Sequence, residues 1–248
     1  MVKRSVSVAV LAIFVLLVAP AFPADVAGEE ILRKLDRNLT PVSFESYRKL
    51  INIEPNGSTR EYLLYTAKKG NNKIVSLFLS PPSEKGRSTL RLGDNMWLYI
   101  PDVGKPIRIT SLQSVIGGVF NNSDIMSLDY HVEYSVSQME DHGSEYVLDL
   151  KAKTGAVAYD RLKMRVDKKL LVPLEIQCIA ASGMLIKTLY FKEMKKFEDG
   201  ITRPAVIETD SPLFRGYKSI MVYAVIKSRD FADEVFTLTF LPRIETLR

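Results

Sequence analysis

From residue 43 onward the chain is a succession of short runs in which apolar and polar side chains alternate, separated by Gly, Asn, Asp and Pro. Alternation with period two marks half-buried strands. It predicts strands at 43–54, 59–69, 72–80, 87–92, 95–100, 105–110, 130–139, 144–152, 157–167, 172–181, 184–194, 202–210, 218–228 and 234–241. The stretches "EPNGST", "KKGNNK", "RLGDNM", "MEDHGSE", "AASGML" and "FEDGIT" supply tight-turn residues between them. Successive hairpins pair neighbouring strands in order, giving an antiparallel meander.

Two segments depart from this texture. "DVAGEEILRKLDRNLT" sets Ile31, Leu32, Leu35 and Leu39 at helical spacing, with Glu29, Glu30, Arg33, Lys34 and Arg37 elsewhere on the wheel, and so predicts an amphipathic helix. "SLQSVIGGVFNNSDIMSLDY", residues 111–130, reads as a helical insertion: Ser123 or Asn122 would cap a short helix "DIMSL", and Gly117 and Gly118 interrupt what precedes it. Its apolar members Val115, Ile116, Val119, Phe120, Ile125, Met126 and Leu128 need cover, and the sheet is the nearest candidate.

The strand at 95–100 also breaks the alternation. Met96, Leu98 and Ile100 fall on one face and Trp97 and Tyr99 on the other, so both faces require an apolar neighbour. Either one face meets the helices and the other a neighbouring loop, or part of the surface lines an apolar cavity. Met96, Met126 and Met164 are adaptable side chains of the kind that suit a ligand of variable shape, although a core role is the commoner use of Met.

Ahead of the helix, Met1-Val-Lys-Arg4 precedes the apolar run "SVSVAVLAIFVLLVAP" and small residues at Ala19, Ala21 and Ala24. This is the pattern of a cleaved signal peptide, residues 1–21, with cleavage after Ala24 as the alternative. About 225 residues then form a single domain, 22–248. The formal charge of +5 falls to 5 − 2 = +3 once Lys3 and Arg4 leave. The charges are interspersed, leaving no footprint for nucleic acid. Cys178, the one cysteine, sits in the apolar alternation "LEIQCIA" as a small core residue.

Chemistry is mostly missing. His131 and His142 stand apart, with no HExxH, CxxC or His-x-His spacing for a metal. Phosphate-loop, nucleophile-elbow and dinucleotide fingerprints are absent. Paired acids such as Asp124 with Asp129, or Glu208 with Asp210, have the residue types for acid–base work, but in turns and on strand faces they read as solvated residues. The pattern favours binding over catalysis, without cofactor.

Taken together, the signal, the helix "EEILRKLD", the stretch "FLSPPSEKGRSTLRLGDNMWLYIPDVGKPIRI" and the insertion "GGVFNNSDIMSLDY" resemble the LolA/LolB-like outer-membrane lipoprotein-sorting superfamily, in its LolA-like periplasmic branch. The family elements fall on Pro81 and Pro82, Gly86 and Leu90, Gly93 and Asp94, then Trp97, Tyr99 and Pro101. The later stretch from Tyr146 to Glu208 keeps the family's order of elements, so the resemblance spans nearly all of the mature chain.

The resemblance implies a mainly β fold with a few helices: an unclosed, strongly curved antiparallel barrel of about 11 strands, with a helical lid on its concave side. It further implies a periplasmic carrier or binding protein that is not an enzyme and holds the acyl chains of lipid or lipoprotein cargo between sheet and helices for transfer toward the outer membrane. An inner-membrane transporter or release complex and an outer-membrane acceptor would be its partners. On this reading the cavity and lid comprise Leu32, Leu35, Leu64, Phe78, Met96, Trp97, Leu98, Ile100, Ile116, Phe120, Ile125 and Met126. In the family's lipoprotein carrier a strand arginine holds the lid closed; Arg48 and Arg60 both lie on strand candidates for that place. A scaffold of an inner-membrane export complex that carries nothing is the alternative from a different class.

Overall fold

In the computed structural model, residues 24–114 and 116–248 are described. The expected signal segment 1–21 and Val115 of the insertion lie outside them. Thirteen strands form one sheet in the order β6-β5-β4-β3-β2-β1-β13-β12-β11-β10-β9-β8-β7. The chain lays down β1 (Ser43–Ile53), β2 (Thr59–Lys69), β3 (Lys73–Ser80), β4 (Ser88–Leu92), β5 (Asn95–Tyr99) and β6 (Ile107–Ile109) toward one edge. It then crosses to the other edge and returns through β7 (Tyr134–Asp141), β8 (Glu145–Ala152), β9 (Arg161–Asp167), β10 (Pro173–Ile179), β11 (Leu185–Lys196), β12 (Thr202–Asp210) and β13 (Lys218–Ser228).

All pairings are antiparallel, and β13 closes against β1 in the middle. Edges β6 and β7 are not paired with each other, so the barrel stays open. Register shifts interrupt the ladders at Tyr47/Arg48, Leu63/Leu64, Val136/Gln138, Pro173/Glu175 and Cys178/Ile179. Such irregularities bend a strand and increase its twist, which curls a wide sheet.

The helix at the start, α1 (Ala24–Leu39), packs on β7 and β12 through its apolar stripe. Leu32 and Leu35 are fully buried, each contributing ~2 kcal/mol by area removed from water. Gly28 sets the approach distance, because a Cβ there would lie 2.7 Å from Val136 Cγ1. The segment from Thr110 to Glu133 crosses from β6 to β7 and carries α2 (Asn122–Ile125) and α3 (Tyr130–Glu133). The cap of α2 is Asn121, whose side chain accepts from Asp124 N while the Asp124 carboxylate accepts from Asn121 N. The capping residue therefore lies one position before the residues the sequence pattern favoured, and α2 ends before Met126.

Three other expectations are corrected. The sheet has 13 strands, more than the resemblance implied. Residues 130–133 are helical before β7 begins. The segment 234–241 forms no strand; 3-10 turns span Asp233–Phe236 and Leu241–Leu247 instead.

Those turns explain the doubly apolar strand β5. On the convex side, Phe231, Val235, Phe236, Leu241 and Ile244 pack on Tyr65, Ala67, Val75, Leu77 and Leu90, with Trp97 and Tyr99 against the same cluster. Met96 points the other way, into the main core. The C-terminal turns thus form a strap that covers β2–β5 from outside. Leu241→Ala should cost roughly 2–5 kcal/mol in urea unfolding, and Trp97 emission should shift to the red as the strap loosens.

Candidate functional site

Strand parity sends charged side chains to the concave face. In β2, Lys68 shares its side with Tyr62, Leu64 and Thr66; in β4, Arg91 faces opposite to Leu90. Lys68 and Arg91 are each 2% exposed, and Arg48 in β1, Lys187 in β11 and Arg203 in β12 are each 3% exposed. Cations at such depth are costly unless paired and hydrogen-bonded, and the crossing segment supplies acids for three of them.

Lys68 pairs with Asp129, and Arg91 with Glu133 while donating to Met126 O at 2.9 Å. Lys187 pairs with Asp124 at 2.6 Å and also donates to Val119 O. The Tyr159 hydroxyl, between β8 and β9, donates to Asp124 Oδ1 at 2.9 Å and accepts from Asn121 Nδ2. Arg48 donates to Ile125 O at 3.1 Å and to Thr66 Oγ1 at 2.6 Å. From Ser111 to Asp129 no backbone–backbone hydrogen bond joins the segment to the sheet among the described residues; side chains from both arms of the meander hold it. Gly118 lets it lie flat, since a Cβ there would sit 2.2 Å from Asn52 Oδ1.

The helix α1 adds a fourth clamp. Asp36 accepts from Tyr130 N at 2.8 Å and His131 N at 2.9 Å, and the His131 ring Nδ1 lies 2.8 Å from the same carboxylate. Burial pushes the Asp36 carboxyl up from 3.8 to about 6, and the negative charge of Asp129 adds to the shift, against hydrogen bonds from His131 and Tyr130 that lower it. Burial likewise raises Glu133, with Arg91 opposing.

Beneath the crossing segment is a cavity of about 90 Å³. Its walls mix apolar side chains such as Phe44, Ile74, Leu189 and Phe191 with the buried polar groups Ser46, Arg48, Lys68, Arg203 and Tyr223. Cys178 is also part of the wall, its thiol pushed well up by burial and by Asp124. Among the described residues no group of His, Cys, Asp or Glu is arranged to hold a metal ion.

Of the residues expected to form cavity and lid, Phe120 and Ile125 border the cavity. Leu32, Leu35, Leu64, Phe78, Met96 and Met126 lie in the same core cluster, and Ile116 packs against it, without bordering the closed space. Leu98 and Ile100 are half-buried and join neither core cluster. Trp97 is a correction, because it belongs to the convex-face cluster under the strap. Arg60 is exposed and pairs with Glu54, so that of the two candidates Arg48 is the one that touches the crossing segment, as Arg91 of β4 also does. Asp124 and Asp129, considered as an acid–base pair, are instead the partners of two buried lysines. The sequence reading missed Asp36, Lys68, Arg91, Lys187 and Arg203. Their signal is a charged residue on the inward parity of a strand or on the apolar stripe of a helix.

An open, curved sheet with a segment pinned across its concave side is the fold of LolA superfamily proteins. The family described as "Uncharacterized protein" matches residues 70–243, and the chain belongs to it, within the LolA/LolB-like superfamily. A LolA superfamily protein from Nitrosomonas europaea is similar in structure at TM-score 0.77 and 26% identity, over 86% of this chain and 98% of that one. A DUF1329 family protein from Desulfovibrio piger reaches TM-score 0.76 at 22% identity, over 89% and 100%. A domain from Vibrio parahaemolyticus described as an outer membrane lipoprotein-sorting protein reaches 0.73 at 19%, over 88% and 100%. No curated protein matches the sequence.

Removing Lys68 leaves Asp129 without its counter-charge, so Lys68→Met should lose roughly 3–5 kcal/mol in urea unfolding, with faster amide exchange over 119–133. Lys68→Met combined with Asp129→Leu should recover most of that loss. The Asp36 carboxyl binds its proton more tightly folded than unfolded, so its contribution to stability is present below 3.8 and lost as pH rises through about 6. The protein should be about 1 kcal/mol more stable through this group at pH 5 than at pH 7.5. Denaturation of Asp36→Asn at the two values should show that difference removed.

Proposed function

We propose that the protein is a non-enzymatic periplasmic carrier that holds the acyl chains of lipid or lipoprotein cargo between the concave sheet and the crossing segment, which acts as a lid. The observation that carries this reading is how the segment is held. It rests on the sheet through side chains, with no ladder to unzip, so it can lift while the sheet stays intact.

The cavity of about 90 Å³ is smaller than the roughly 300–1,000 Å³ of small-molecule pockets. Loading therefore requires the lid to rise and Phe120, Ile125, Met126 and Ile116 to part from Leu32, Leu35, Leu64, Phe78 and Met96. Withdrawing a sixteen-carbon chain from water is worth about 12 kcal/mol at ~0.8 kcal/mol per CH₂, enough to offset the loss of lid packing. Export by a cleaved signal at 1–21, a single domain at 22–248, loading by an inner-membrane transporter and delivery to an outer-membrane acceptor complete the proposal. It is supported by the superfamily to which the chain belongs.

The small closed volume favours a second reading, in which the interior is a filled core and the protein is a scaffold for an export complex. Native mass spectrometry of protein purified from its host, with displacement of a fluorescent fatty acid, separates the two. Retained lipid, or saturable binding, is expected. An empty protein that binds no acyl chain yet co-purifies with an inner-membrane transporter would overturn the carrier reading.

A further inference from the structure

Each of Lys68, Arg91 and Lys187 has a carboxylate from the crossing segment. Arg48 and Arg203 have none within ion-pair distance among the described residues, although both line the cavity and both are 3% exposed. They flank one ring: the Arg203 guanidinium lies 4.3 Å from the Tyr223 centroid and that of Arg48 5.7 Å. Arg203 donates only to the carbonyls of Leu39 and Pro204, at 2.7 and 3.1 Å, besides its contact with Tyr223. Arg48 Nε is buried without an acceptor, and so is the hydroxyl of Ser46, two residues earlier on the same face of β1. Two adjacent buried cations with no counter-ion, one of them with a spare donor, form an incomplete site, because a desolvated charge is stabilised only by a partner.

Resting on the carrier reading above, we propose that the cargo is an acyl-chain amphiphile with an anionic head, and that Arg48 and Arg203 receive the head's acid oxygens beside Tyr223. The size of the cavity fits this. About 90 Å³ falls well short of the roughly 300–1,000 Å³ of pockets that take a whole small molecule, room for an acid group and not for its chain. The field of the two guanidiniums is visible on Tyr223 itself: burial pushes its phenol up, and Arg48 and Arg203 outweigh burial to hold it below its ordinary value. Charge-assisted bonds to an acid are stronger than bonds to a neutral carbonyl. An arriving head therefore displaces Ile125 O from Arg48, and recognition of the cargo loosens one lid contact.

The test is a binding series on the full mature protein with palmitate, hexadecyl phosphate and methyl palmitate, read by displacement of a fluorescent fatty acid. Both anions should bind at least about tenfold tighter than the uncharged ester, and the tighter of the two identifies carboxylate or phosphate as the natural head. In Arg48→Gln and Arg203→Gln the preference should fall to about twofold or less, with methyl palmitate still bound. Methyl palmitate binding the unaltered protein as tightly as both anions would overturn the anionic-head assignment and leave the carrier reading standing. Failure of every acyl compound to bind would overturn both. The comparison within the unaltered protein decides the matter even if a variant does not fold.

Discussion

A charge buried in an apolar interior needs its partner, and in this protein the partners of three sheet cations sit on a different piece of chain. Lys68, Arg91 and Lys187 belong to β2, β4 and β11; Asp129, Glu133 and Asp124 belong to the crossing segment. With the segment down, each pair is complete. Were it fully raised, as the proposed carrier requires, both members of a pair would reach water. An intermediate arrangement, in which one charge stays buried while its partner leaves, would be the expensive one. Lifting would therefore favour two positions, docked or released, and the pairs fix where the segment docks more than they add net stability.

The rest of the architecture serves that arrangement. The crossing is the stretch of chain that runs from one arm of the meander to the other, so its ends are tethered to the two free edges, β6 and β7. The C-terminal turns cover the opposite face of β2–β5. Packing there lets the concave side carry polar groups that an ordinary sheet core would exclude. Arg48, Arg203 and Tyr223 lie near the middle of the sheet, on β1, β12 and β13. The proposed head site thus falls on the strands where the two arms meet.

Most of the meander was legible because alternation and turn chemistry are local signals: β2, β12 and β13 begin and end where the pattern places them. The final segment was not, because apolar residues in 3-10 turns at 233–236 and 241–247 mimic a strand's spacing while burying against a sheet face the local pattern does not reveal. The doubled hydrophobicity of β5 was visible, but its cause, the strap over Trp97, depends on residues more than a hundred positions away. The insertion at 111–130 was recognisable as a break between the strand runs. What composition concealed was the charged interior. A lysine in a strand ordinarily faces solvent, and only the pairing of Lys68 with Asp129, sixty-one residues on, makes its burial tolerable.

The pairing of β1 with β13 joins residues 44–53 to residues 218–228. During synthesis the centre of the sheet has one neighbour missing until nearly the whole chain has been made. Pairings so distant along the chain close late and slowly. The two arms can therefore build their own hairpins separately, and the sheet becomes one continuous surface only when its first and last strands meet.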